Sequence, residues 1–124
     1  MRVWKIGLNL KNQYNLMKKG DIFLVDLSSG FGHEQRGFRP AILVSSFIAG
    51  MVVVIPLTTK FESLRFPYTL SIIASSVNSL EQNSVALVFQ IKSIDKNRLR
   101  KKVGFISASD LKKIDLQMRK MLGI

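Results

Sequence analysis

From Gly20 onward the chain alternates short apolar segments with turn residues, and this pattern restricts it to a small β-rich fold. The segments are rich in valine, isoleucine and phenylalanine, which is typical of strands. Ala49-Gly50 predicts a tight hairpin turn, and Pro56 predicts that one strand ends or bulges there, because proline has no N–H to donate. Six strands are predicted: DIFLVDL (21–27), PAILVSSF (40–47), MVVVIPL (51–57), YTLSII (68–73), SVALVFQI (84–91) and KVGFIS (102–107).

The C-terminal segment has the period of a helix rather than of a strand. Its apolar residues lie on one helical face; they are Leu111, Ile114, Met118, Met121 and Leu122. Ser107 followed by Asp110 resembles a capping box at the start, and Gly123 is suited to the end. The predicted fold is therefore mainly β with a C-terminal helix (α+β), as a small, partly open antiparallel barrel on which the helix packs.

The length of 124 residues suits a single domain, which we expect over residues 18–124, after a basic N-terminal extension at 1–17. The sequence has no cysteine and one histidine, so neither a metal site nor another cofactor site is predicted. The lack of cysteine fits a cytoplasmic protein. No apolar run approaches the roughly 18 residues that indicate a membrane span.

The formal net charge is +11, and the excess lies entirely in the two ends of the chain. Residues 1–19 carry five basic and no acidic side chains, residues 20–92 are balanced, and residues 93–124 carry nine basic and three acidic ones. Such an excess attracts polyanions through the summed field and through counterion release. The partner class is therefore a nucleic acid or an acidic protein, unless the charge only keeps the surface solvated.

The connection between the first two predicted strands, GFGHEQRGFRPA (30–41), carries more polar chemistry than a hairpin turn requires. It combines three glycines with His33, Glu34, Gln35, Arg36 and Arg39. Glycines permit close backbone approach to a ligand, and arginine grips phosphate oxygens with a planar fork. The connection therefore indicates an active-site loop; the plainer alternative is a solvated loop in which Glu34 pairs with Arg36 or Arg39.

Four segments, in this order and at this spacing, resemble the MazF/PemK family of toxins: KKGDIFLVDL (18–27), GHEQRGFRPAILVSS (32–46), VIPLTTK (54–60) and ALVFQIKSIDKNRL (86–99). The resemblance implies an SH3-like barrel that forms a homodimer and cleaves single-stranded RNA at short motifs without a metal. It implies that Arg39 and a threonine after the third strand carry catalysis. That threonine maps to Thr58, with the adjacent Thr59 as the alternative. A toxin of this kind needs an antitoxin, and the charge of +11 predicts an acidic one.

Metal-free RNA cleavage by the ribose 2′-OH needs a proton acceptor, a cation for the phosphate and a donor for the leaving oxygen. Arg39 is suited to be the cation, and its permanent charge makes it a poor base. The proton acceptor is then His33 or Glu34, unless the 2′-OH ionises late without a dedicated base. Thr58 is suited to hold a phosphate oxygen or to position Arg39. Further RNA contacts are predicted at Gln35, Arg36, Thr59, Lys60, Lys96 and Arg98.

Residues 93–102 are either a solvated basic turn or, with Arg100, Lys101 and Lys102, a patch that follows the RNA backbone. The alternative function is a non-catalytic toxin of the CcdB type, which uses the same fold to bind DNA gyrase. The arginine and threonine at the expected positions favour the nuclease, and an inactive relative of the family is the third possibility.

Overall fold

The computed structural model describes residues 17–28 and 31–124 as seven β-strands followed by one α-helix, which confirms the predicted α+β class. A 3-10 turn at Phe61–Arg65 follows β3, and shorter ones follow β5 and β6. The elements are β1 (Asp21–Asp26), β2 (Phe38–Leu43), β3 (Met51–Thr58), β4 (Thr69–Ile72), β5 (Ser84–Leu87), β6 (Lys92–Asp95), β7 (Leu99–Phe105) and α1 (Ala108–Leu122).

The strands pair antiparallel in the order β4-β5-β3-β2-β1-β7, and β6 adds to β3. The central strand is β3, which pairs with β2 on one edge. On its other edge it pairs with β6 over Met51–Val54 and with β5 at Leu57 and Thr58. This change of partner lets one strand join two parts of the fold.

The central strands are buried on both faces. Their side chains point alternately to the two faces of the sheet, and each face packs into its own core. In β1, Ile22 belongs to the core that α1 covers with Ile114, while Phe23 and Val25 belong to the second core. The second core contains residues of β1, β2, β3, β6 and β7 and includes Leu43, Val54 and Leu99. Strands buried on both faces have nearly continuous apolar sequences, which explains runs such as DIFLVDL.

The hairpin turn and the helix ends agree with the sequence. Ala49 and Gly50 both have positive φ, as a two-residue hairpin of the favoured hand requires, and the flanking Ile48 and Met51 exchange backbone hydrogen bonds of 2.9 Å. The hydroxyl of Ser107 accepts the N–H of Asp110 at 3.0 Å, and Gly123 ends the helix in the left-handed region at φ 72°.

The prediction for Pro56 was wrong, because β3 continues to Thr58 and Pro56 pairs with Ala41 of β2. The strand tolerates this proline because β3 changes partner between Val54 and Leu57 on its other edge. A proline within that gap does not have to donate to β5 or β6.

Two further secondary-structure predictions, for residues 84–91 and 93–102, were also wrong. The predicted strand 84–91 ends at Leu87 and turns into a 3-10 turn at Val88–Gln90. The basic run 93–102 contains the end of β6 and the start of β7. β6 escaped the sequence analysis because it buries only Ile94. The predicted strand 102–107 is β7, but it starts earlier, at Leu99; its first half was missed because this edge strand carries there the charged side chains that protect such edges.

The predicted basic extension at 1–17 lies outside the described residues except for Met17, which packs against the second core. Within the described residues, no helix has the length and apolar character needed to cross a membrane.

Candidate functional site

Arg39 and Thr58 lie at the same end of two neighbouring strands. The register of β2 and β3 pairs Ala41 with Pro56, and Arg39 and Thr58 stand two residues farther along their strands toward that end. Because side chains alternate along a strand, Arg39 shares a face with Ala41, and Thr58 shares that face with Val54. Both Ala41 and Val54 belong to the second core, so the predicted pair lies at the rim of that core.

The two residues differ in how they are held. The Nε of Arg39 donates to the carbonyl of Arg36 at 3.0 Å, and no described residue accepts from its two terminal nitrogens. Thr58 is only 3% exposed, and its hydroxyl accepts the N–H of Lys60 at 3.3 Å. The next hydroxyl, that of Thr59, is exposed. The strand ends therefore supply one half-buried cation, one buried hydroxyl and one solvent-facing hydroxyl.

The base of the β1–β2 loop is fastened by arginines from the far end of the chain. Arg98 donates to the carbonyl of Asp26 at 3.2 Å and to the hydroxyl of Ser28 at 2.6 Å, and Arg100 lies 3.3 Å from the Asp26 carboxylate. The N–H of Ser28 also donates to that carboxylate at 2.7 Å. This backbone hydrogen bond, helped by the Ser28 hydroxyl and by Arg100, holds the pKa of Asp26 below its usual value.

The upper part of the loop is held by Gln90, which the sequence analysis missed. Its side-chain oxygen accepts the N–H of Gln35 at 2.9 Å, and its side-chain nitrogen donates to the carbonyl of His33 at 3.2 Å. Gln90 ends the 3-10 turn after β5, and an amide at such a turn carries no periodic or compositional signal. One side chain from another part of the fold thus fixes two consecutive peptide units around Glu34.

Glu34 does not pair with either loop arginine. Its carboxylate accepts the N–H of Phe31 at 2.7 Å and lies 3.7 Å from the ammonium group of Lys92. Arg36 instead donates to the carbonyl of Gly32 at 3.0 Å. The plainer alternative for the loop, a Glu34–arginine pair, was therefore wrong, because the carboxylate is turned toward the N–H of Phe31 and toward β6.

His33 is exposed in the same loop, and the side-chain oxygen of Gln35 is buried without a hydrogen-bond partner among the described residues. Gly37, at φ 79°, permits the backbone to return to β2, and its N–H donates to the carbonyl of Ser28 at 2.9 Å. The structure thus brings His33, Gln35 and Arg39 into one short segment beside the strand ends.

The predicted basic patch is divided between two roles. Arg98 and Arg100 fasten the loop, and the ammonium group of Lys102 lies 3.4 Å from the buried carboxylate of Asp21. Lys101 and Lys102 line a cleft of about 500 Å³, and Thr59 also lines this cleft. Lys60 is exposed just beyond β3, and Lys96 follows β6 with its N–H donating to the carbonyl of Gly50 at 2.9 Å. RNA binding at these residues stays a prediction.

The described residues contain no cluster of metal ligands: no three histidine, aspartate or glutamate side chains among them gather closely enough to hold a metal ion. The polar groups at the strand ends and in the loop are the guanidinium of Arg39, the hydroxyls of Thr58 and Thr59, the imidazole of His33 and the carboxylate of Glu34.

A family match assigns this antiparallel β-fold with its C-terminal helix to a class of bacterial toxins. Residues 18–122 match the family described as PemK-like, MazF-like toxin of type II toxin–antitoxin system, and the chain belongs to that family. The resemblance predicted from the four sequence segments is thereby confirmed, and the CcdB-type alternative is not favoured.

A curated relative supports this assignment, and two solved structures share the fold. The chain is 31% identical over 113 residues to the endoribonuclease MazF of Staphylococcus saprophyticus, an alignment that covers 88% of this chain and 93% of the relative. Its fold is similar to that of MazF from Deinococcus radiodurans, with a TM-score of 0.73 at 20% identity over 87% of this chain and 97% of the other. A mycobacterial endoribonuclease, solved with its cognate antitoxin, gives a TM-score of 0.68 at 20% identity over 87% and 96%.

Proposed function

We propose that this toxin is an endoribonuclease that cleaves single-stranded RNA without a metal ion. The observation that carries the proposal is the meeting, at one end of the sheet, of Arg39, the Thr58–Thr59 hydroxyls and the loop around His33. The name of the staphylococcal relative supports the activity.

In the proposed reaction the ribose 2′-OH attacks the adjacent phosphorus and expels the 5′-oxygen of the next nucleotide. The products are a 2′,3′-cyclic phosphate and a 5′-hydroxyl. Charge develops on the phosphate oxygens in the transition state, and a preorganised cation there stabilises it. Arg39 suits this role, since its Nε is fixed on the Arg36 carbonyl and its two terminal nitrogens face no described acceptor.

His33 is the proton acceptor that the geometry favours over Glu34. Both carboxylate oxygens of Glu34 are engaged, one by the N–H of Phe31 and one by Lys92. The His33 side chain is exposed, and its backbone is fixed by Gln90. A histidine whose backbone is fixed while its imidazole ring is exposed to solvent is suited to take the 2′-OH proton.

The two threonines divide their work in this proposal. Buried Thr58 is a positioning residue, because its hydroxyl holds the N–H of Lys60 and fixes the end of β3 beside Arg39. Exposed Thr59 and Lys60 contact the RNA backbone, as do Gln35 and Arg36 in the loop. Lys96 and Arg98 are proposed as more distant phosphate contacts, Arg98 while it fastens the loop.

The proposed partners are an acidic antitoxin and a second copy of the chain, in the cytoplasm. The net charge of +11 favours an acidic segment that covers the loop and competes with RNA. The attraction is screened over about 8 Å at physiological ionic strength, so antitoxin binding should weaken as salt rises. To test this, the cognate antitoxin is titrated against the Arg39→Ala variant bound to labelled RNA. A stable ternary complex without RNA displacement would contradict the proposed footprint.

The activity is tested by incubating the purified protein with a long synthetic RNA in EDTA. Cleavage should persist in EDTA, and an all-2′-deoxy version of the same substrate should remain intact because it lacks the nucleophile. Activity that disappears in EDTA and returns with magnesium would contradict the metal-independent mechanism. The Arg39→Ala protein, purified in the same way, is the control for a contaminating ribonuclease.

A further inference from the structure

A pair of exposed aromatic rings lies beside the candidate site. The rings of Phe66 and Phe89 are tilted by 58° with their centroids 5.7 Å apart, and they are 43% and 40% exposed. The guanidinium carbon of Arg65 lies 4.8 Å from the centre of the Phe66 ring. We call Arg65, Phe66 and Phe89 the aromatic platform.

The platform is fixed by the backbone rather than by burial. The N–H of Phe66 donates to the carbonyl of Ser63, which closes the 3-10 turn after β3, and the N–H of Phe89 donates to the carbonyl of Tyr68 at 3.3 Å. This last bond joins the segment after β3 to the segment after β5. Two neighbouring rings that stand on a hydrogen-bonded backbone and are left about two-fifths exposed are characteristic of a contact surface.

Both segments of the platform lead directly to the candidate site. The residue after Phe89 is Gln90, whose side chain holds the His33–Gln35 part of the loop. The 3-10 turn that carries Arg65 begins at Phe61, just after Thr58 and Lys60. The platform is thus connected by short stretches of backbone to the loop and to the end of β3.

We propose that the aromatic platform binds a nucleobase of the RNA that flanks the cleaved bond, an inference that rests on the proposed ribonuclease activity. Single-stranded nucleic acids are held by aromatic side chains on which bases stack and by cations that follow the backbone. Phe66 and Phe89 supply the stacking surface, and Arg65 supplies a cation over the Phe66 ring. The platform is therefore a subsite that holds a base next to the cleavage point.

The chemistry of the platform favours a base over an apolar protein surface. A cation held on a ring face leaves the site both aromatic and positively charged, which suits a π-face followed by a phosphate. The high net positive charge favours the same ligand class. An apolar contact with a second copy of the chain is the competing occupant, and the experiment distinguishes it.

The test uses an RNA whose cleavage position has been mapped with the wild-type protein. One 2′-deoxy nucleotide at that position blocks cleavage, and 2-aminopurine replaces each flanking base in turn. At one flanking position the fluorescence should be quenched when wild-type protein binds. Phe66→Leu and Phe89→Leu should remove that quenching and weaken binding roughly 5- to 150-fold, the range for losing one stacked base.

An exposed phenylalanine elsewhere in the fold gives a matched control. Phe105 is 49% exposed on β7 and has the ammonium group of Lys102 at 5.9 Å from its ring centre, so Phe105→Leu removes a similar ring–cation pair. It should leave quenching and affinity unchanged. An abasic nucleotide at the quenched position should weaken wild-type binding as much as Phe66→Leu does, and should weaken the variant little further.

Three outcomes overturn the inference in distinguishable ways. If the wild-type protein cleaves RNA but the two variants bind, quench and select sites as it does, the platform is not a base site. If the variants lose RNA binding only because a wild-type dimer becomes monomeric in size-exclusion chromatography, the platform is a subunit contact. If the wild-type protein does not cleave RNA at all, the proposed function is contradicted, and the inference that rests on it falls as well.

Discussion

The two parts of the candidate site are built in different ways. Arg39 and Thr58 are carried by strands whose register brings them to one end of the sheet. The β1–β2 loop has no such frame. Gln90 and Lys92 hold its upper part at residues 33–35, and Arg98 and Arg100 hold its base at residues 26–28. The hydrogen bonds among these contacts join residues that lie 55 to 74 positions apart in sequence. In the proposed reaction, the strands therefore set the position of the phosphate and the tethers set that of the proton acceptor.

The largest effect on the cleavage rate is expected for Arg39, in the part of the site that the strands carry. Arg39→Ala should lower the cleavage rate at least about 10²-fold, the scale for losing one preorganised stabiliser of transition-state charge. Arg39→Lys should restore little, since it loses the planar fork. Single-turnover rates measure the effect, with Arg36→Ala as a neighbouring control that should cost less. Near-normal cleavage by both Arg39 variants would remove the catalytic assignment.

The next effect separates the two threonines. Thr58→Ala should reduce cleavage severely, because it leaves a gap at the rim and frees the N–H of Lys60, whereas Thr59→Ala should be milder. The melting temperature is measured for both variants, since Thr58→Ala is also expected to lower stability while Thr59→Ala is not. If Thr59→Ala proves the more damaging change in cleavage, the exposed hydroxyl is the one that acts on the phosphate.

An intermediate effect is expected from the loop tethers. Gln90→Ala should lower cleavage by up to about 30-fold, because it removes two hydrogen bonds, each contributing roughly 1 kcal/mol, that hold the peptides around Glu34. Its melting temperature should fall only modestly, since both cores stay intact. The rate of His33→Ala, with and without Gln90→Ala, tells whether the tether works through His33. Fully additive losses would contradict that coupling.

The smallest effect is expected for the pH dependence of the folding stability. Asp26 has a lowered pKa when folded, so its contribution to stability is present above its ordinary value of 3.8 and is lost as the pH falls through the lower folded value. Asp26→Asn should therefore reduce stability near pH 6, and the difference from wild type should shrink near pH 3. Melting curves at both pH values measure it. A difference that grows on acidification would contradict the role assigned to this carboxylate.

The strand-borne half was predictable from the sequence and the tethered half was not. Arg39 and Thr58 stand in a motif with fixed spacing, next to apolar runs whose pairing is dictated by their pattern. Gln90 and Lys92 lie within a segment that was predicted to remain a buried strand and then a basic turn, and only the tertiary fold brings them to the loop. The burial of Thr58 also involves the neighbouring strand β5, in which Val85 pairs with Thr58.

The same distinction applies to the basic residues of the C-terminal third. Their charge predicted a polyanion partner, but the sequence did not separate those that face solvent from those that fasten the loop. Arg98 and Arg100 reach Asp26 because β7 pairs with β1, and no local pattern reveals this association of the first and last of the described strands.

The most direct measurement is the chemical identity of the RNA ends after cleavage. A synthetic RNA is digested in EDTA, and the fragments are analysed by mass spectrometry, with the Arg39→Ala protein as the control. The account predicts 2′,3′-cyclic phosphate and 5′-hydroxyl ends, and none when the nucleotide before the cleaved bond is 2′-deoxy. Fragments with 3′-hydroxyl and 5′-phosphate ends, or cleavage next to the 2′-deoxy nucleotide, would contradict attack by the 2′-OH and with it the account.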